Sequence, residues 1–171
     1  MKRLAHLLLP LLAALGLAGR LQGFVYIDGV PPWPDGNVTL ELQLGSSPIY
    51  TDATTPNQTA IQAIAMWNPY MKRVQLTYVN NSGASKSKTN NKNNVFFSND
   101  VFGTAFGSGV LAVTIGRATA SAPVEMEVVV NNNRTWDSYR GFLQYSKIDL
   151  RRVLAHEFGH VLGLDHPNEA G

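Results

Sequence analysis

The chain has 171 residues, 44% of them hydrophobic, with 14 basic and 12 acidic side chains and no cysteine. That length suits one domain with a sizeable core, and the missing cysteines exclude a disulfide framework. The formal charge of +2 is nearly balanced and gives no sign of nucleic-acid binding.

Lys2 and Arg3 precede an apolar run from Leu4 to Leu17, which gives way to Ala18 and Gly19. A charged start, a short apolar core and a small-residue exit read as a secretory signal peptide over residues 1–18. The run falls short of the roughly 20 residues that a membrane span needs. Removing Lys2 and Arg3 with it leaves 12 basic and 12 acidic residues, so the high isoelectric point is mostly a targeting effect. The expected location is outside the cell, or the periplasm in a Gram-negative bacterium, with no stable membrane association after cleavage. Residues 19–32 form a short lead-in, too short for a folded propeptide, and residues 33–171 form the single domain.

Pro31-Pro32-Trp33-Pro34-Asp35-Gly36 is a turn-rich entry. Val38, Leu40, Leu42 and Leu44 then alternate with Thr39, Glu41 and Gln43, the period of a half-buried strand. Between Gln58 and Trp67, Ala60, Ile61, Ile64 and Trp67 share one helical face, and Pro69 ends the helix. Residues 80–94 are rich in Asn, Ser and Lys and read as a solvated loop. Its lysines (Lys86, Lys88, Lys92) offer contacts to an acidic partner or simply keep the loop soluble. Trp67 and Trp136 read as core residues, since aromatic side chains mostly supply buried area.

A second helix starts at Ser146 or Asp149 and carries Leu150, Val153, Leu154, Phe158, Val161 and Leu162 at three- and four-residue spacing. Arg151 and Arg152 read as solvated. This helix holds the run His156-Glu157-Phe158-Gly159-His160-Val161-Leu162-Gly163-Leu164-Asp165-His166, of the form H-E-x-x-H-x-x-G-x-x-H. Residues four apart lie on one helical face, so His156 and His160 can reach one ion. Gly163 permits a left-handed exit that returns His166 as a third ligand. Three protein ligands leave a fourth position for water, the arrangement of a catalytic Zn2+. Glu157 stands beside the first ligand, where it can take a proton from that water. The chain has four histidines; His6 lies in the signal, so the motif holds the other three.

At these residues the chain resembles the metzincin zinc endopeptidases, most closely the matrixin-like branch, over about residues 33–167. The resemblance implies an α+β zincin-like catalytic domain: a twisted, mainly parallel sheet, an antiparallel edge strand and an active-site helix. Val74 to Tyr78 and Asn94 to Ser98 are similar to inner strands of the family, and Val124 to Val130, leading to Trp136, to the strand before the active-site helix. Gly109 to Thr114 resembles the edge strand that pairs with substrate, which implies substrate contacts at Val110, Leu111, Ala112 and Val113. Pro167 is similar to the serralysin branch, but the signal peptide favours the matrixin one.

Metzincins carry a methionine turn after the third histidine. Met1, Met66, Met71 and Met126 all precede it here, which implies a catalytic domain lacking its C-terminal part. The chain has no further histidines for the structural zinc of many matrixins, and no cysteine for their latency plug. Asn131-Asn132-Asn133-Arg134 stands where many matrixins bind Ca2+ with acids; amide oxygens still bind calcium, but the missing carboxylates weaken such a site. The expected activity is secreted, zinc-dependent hydrolysis of protein or peptide by a monomer. The alternatives are a zinc hydrolase of another substrate, or a secreted binding domain without enzymatic activity should the chain truly end here.

Overall fold

The computed structural model describes residues 25–166, so the signal segment and Pro167 lie outside the described residues. Nine strands and two α-helices follow in order: β1 (Val25–Tyr26), β2 (Gly36–Gln43), α1 (Pro56–Trp67), β3 (Val74–Asn80), β4 (Asn93–Ser98), β5 (Ala112–Ala118), β6 (Pro123–Asn131), β7 (Trp136–Asp137), β8 (Ile148–Asp149), α2 (Leu150–Val161) and β9 (Leu164–Asp165). The main sheet has the order β3-β2-β4-β6-β5. Its inner pairs are parallel, and β5 alone runs antiparallel, against β6. The α+β architecture expected from the sequence is therefore present.

Alternation along the strands sorts the sheet into two faces. Val38, Leu40, Leu42, Leu76, Val95, Met126, Val128 and Val130 turn to one face and join Ala60, Ala63, Ile64, Leu150, Leu154, Phe158 and Val161 of the helices in one core. Leu40, Leu42, Leu150, Leu154 and Phe158 are completely buried, each worth roughly 1.5–3 kcal/mol in apolar burial. α1 starts two residues earlier than the periodicity suggests. Thr55 caps it, its hydroxyl accepting from the Gln58 N–H while Gln58 reaches back to the Thr55 N–H, and Pro56 takes the first position. After Trp67 the chain continues as a single 3-10 turn, Asn68–Tyr70, which accommodates Pro69.

The opposite face carries buried polar residues beside Phe96 and Val129. Glu41, Asn94, Glu125 and Glu127 alternate with core residues and are buried. The 81–92 loop closes over them. Lys92 pairs with Glu41 at 3.2 Å, and the N–H groups of Asn90 and Asn91 donate to Glu125. Lys86 and Lys88 lie over the rings of Phe96 and Phe102. The three lysines are exposed, as expected of a solvated loop, and their contacts also fasten that loop to the sheet.

Candidate metal centre

α2 begins at Asp149, whose carboxylate accepts from the Arg151 N–H. Leu150, Leu154, Phe158 and Val161 form the buried stripe, and His156 and His160 project beside it toward the cleft. Two tryptophans hold this helix to the scaffold: Trp67 Nε1–H donates to Ala155 O at 2.8 Å and Trp33 Nε1–H to Val161 O at 2.7 Å. The Trp67 ring also explains Gly159 inside the motif, since a Cβ there would meet it at 3.2 Å.

Arg151 departs from the solvated reading. It is 7% exposed and donates to Tyr139 O at 2.7 Å, to Gln62 and to Asp52. Long-range acids therefore draw a charged side chain into the base of the helix. Lys147 pairs with Asp137 at 2.6 Å in the same layer. Burial alone would raise the Asp137 carboxyl, but hydrogen bonds from Lys147 and Thr51 prevail and hold it well below the usual carboxylate range. Arg152, at the surface, forms an ion pair with Asp149 and borders the cleft.

Leu162 ends the helix, and Gly163 follows at φ +91°, the left-handed conformation that glycine adopts without penalty. Its N–H donates to His160 O at 2.9 Å, and the chain reverses into β9 and His166. The lead-in then performs a task that no local pattern announced. β1 pairs antiparallel with β9, and the Ile27 N–H donates to Gly163 O at 2.9 Å, so residues 25–27 clamp the segment that carries the third histidine.

The three histidines converge as the spacing predicts. Nε2 of His156 lies 3.0 Å from that of His166 and 3.1 Å from that of His160. Three ligand nitrogens on a tetrahedral zinc stand about 3.3 Å apart, close to this spacing. The tautomer of one ligand follows from its second hydrogen bond. His160 Nδ1 is 2.7 Å from Leu164 O, a carbonyl that can only accept, so in the neutral ring Nδ1 carries the proton and Nε2 presents a lone pair. Converging lone pairs repel unless a cation sits between them, and nitrogen donors in this geometry suit Zn2+. Burial and the neighbouring His160 lower the pKa of His156, which keeps its ring neutral and able to ligate. Among the described residues this is the one group of three or more His or acidic side chains gathered closely enough to hold an ion.

Glu157 is 6% exposed and lines the same cleft. Its Oε2 accepts from the Thr114 hydroxyl at 2.6 Å. The cleft has a volume of about 730 Å3, with Val110, Leu111, Ala112, Val113 and Thr114 along one wall and Val153 and the histidines along the other. All four expected substrate-contact residues therefore border it, although the strand itself begins only at Ala112. Val110 offers no open main-chain group: its N–H donates to Gly107 O and its carbonyl accepts from the Asn131 side chain. Leu111 O is likewise taken by the Asn131 N–H. Asn131, named above in the weakened calcium cluster, secures this wall. Thr114, one residue beyond the expected contacts, is the site residue that the sequence reading missed; its signal is a hydroxyl in an otherwise apolar Val110–Ile115 stretch.

A family model described as matrixin matches residues 32–171. No individual curated protein matches the chain.

Proposed function

The chain belongs to the matrixin family, and from that membership we propose that it is an exported zinc endopeptidase acting on protein or peptide chains. The observation that carries the reading is the convergence of the His156, His160 and His166 Nε2 atoms beside the cleft-facing carboxylate of Glu157.

His156, His160 and His166 would hold the ion. When bound, zinc supplies a Lewis acid for the scissile carbonyl and lowers the pKa of water toward about 7. Substrate joins the sheet as an added strand along the outer edge of β5, with Ala112 and Val113 in the cleft wall. Main-chain hydrogen bonds then supply affinity, and side-chain pockets supply selectivity. Glu157 accepts a proton from the attacking water and returns it to the leaving amine. The apolar wall and the burial of Glu157 limit competing solvent around that transfer. Export follows from the charged and apolar N-terminal residues, and the mature chain acts as a monomer.

The test is hydrolysis of unrelated, unfolded proteins by the purified chain, with and without a zinc chelator. The expected outcome is cleavage within chains, lost on chelation and restored by added Zn2+. A zinc-loaded protein that leaves every peptide bond intact would remove the protease reading. Hydrolysis of a non-peptide ester by that same protein would favour the other zinc hydrolase.

A further inference from the structure

We propose that Thr114 is a positioning residue for Glu157, referencing the proton acceptor to the same strand that receives substrate. The inference rests on the protease reading above. Thr114 Oγ1 lies 2.6 Å from Glu157 Oε2 and 3.3 Å from Glu157 O. One hydroxyl carries one proton, and the shorter contact to the carboxylate takes it, as charge-assisted hydrogen bonds do.

Glu157 needs this donor. Glu157 is 6% exposed and makes no Lys or Arg salt bridge among the described residues. A carboxylate buried without a donor is costly, and its side chain would turn toward solvent and away from the cleft. Thr114 suits the task because a β-branched side chain has few rotamers, so the strand backbone sets where its hydroxyl points. That backbone is itself held: Thr114 stands opposite Val128 of β6, which is completely buried.

With Oε2 occupied by the hydroxyl, Oε1 is the oxygen left to accept the proton of the attacking water. Substrate added along β5 takes its register from Ala112 and Val113, two residues and one residue before Thr114. Scissile bond and proton acceptor are therefore placed from one strand, even though Glu157 itself sits on α2. Small errors in such placement are expensive, since proton transfer requires hydrogen-bond distance.

Thr114→Val removes the donor at nearly constant volume, and Thr114→Ser keeps it. Both are compared with the wild type for kcat and KM on a peptide that the wild type cleaves. Zinc per chain, zinc affinity by competition with a chromophoric chelator, and Tm are measured alongside. The expected result for Thr114→Val is a kcat lower by about tenfold or more with KM within about twofold. Zinc content and affinity stay at the wild-type level, and Thr114→Ser recovers most of the rate. Thr114→Ala gives the same reading should the valine variant fail to fold. A valine or alanine variant with wild-type kcat overturns the assignment, as does an equal loss in the serine variant or a loss of zinc. A zinc-loaded wild type that cleaves no peptide overturns the protease reading itself, and this assignment with it.

Discussion

On the helix side of the sheet, Glu157 is buried at the edge of an open cleft with a single hydroxyl donor on its Oε2. On the opposite side, three buried carboxylates lie by the 81–92 loop; two are met by basic side chains and the third is not. Lys92 pairs with Glu41, Arg117 pairs with Glu125 at 3.1 Å, and Glu127 accepts from the Asn94 amide at 3.0 Å. Burial raises the Glu127 carboxyl to about 7; the Asn94 amide pulls it down, and the Glu125 charge pushes it up again. Burial of an acid is thus common to both faces and does not by itself mark a reactive group. What distinguishes Glu157 is its place on the cleft wall, beside three converging imidazoles.

The largest effect expected on stability comes from uncompensating acids on the helix side. Arg151→Met leaves Asp52 buried without its guanidinium, while Asp149 keeps Arg152, at a cost of about 3–5 kcal/mol. Urea unfolding of the zinc-loaded protein reads it, and an unchanged midpoint would mean that the network contributes nothing.

The far face responds to pH instead. The folded pKa of Glu127 lies above its unfolded value, so its favourable contribution is complete below about pH 4.5 and is lost as pH rises through about 7. Glu127→Gln removes that loss, so the variant should gain on the wild type between those limits, by up to about 3 kcal/mol at pH 8. Unfolding midpoints at pH 5 and pH 8 measure the difference; parallel behaviour of the two proteins would show that Glu127 does not titrate in this window.

Gly163→Ala is the mildest change and touches the cleft side alone. No atom crowds a Cβ there, but φ +91° disfavours any side chain, by about 1–2 kcal/mol. The variant should lose zinc affinity more than global stability, read by chelator competition beside thermal unfolding. Equal affinity would show that the turn tolerates alanine.

The ligand set was legible because helix geometry and one glycine determine where three nearby histidines can go. Asp149 as cap and the Leu150–Val161 stripe were legible for the same local reason. The rest depends on partners far along the chain. Thr114 meets Glu157 across 43 residues, and Arg151 meets Asp52 across 99. Neither pairing leaves a periodic trace. The β1–β9 pairing was equally hidden, since two-residue strands have no pattern to read. Lys86, Lys88 and Lys92 are exposed, as a lysine-rich loop suggests; only their partners on the sheet, a buried acid and two aromatic rings, were hidden.

The central claim is that the histidines hold the ion while Glu157 alone among the buried acids moves the proton. Glu157→Ala measured for zinc content and peptide hydrolysis in one preparation tests it most directly. The account predicts zinc per chain equal to wild type and a kcat lower by about a hundredfold to ten-thousandfold. Hydrolysis at the wild-type rate by a zinc-loaded Glu157→Ala protein would contradict it.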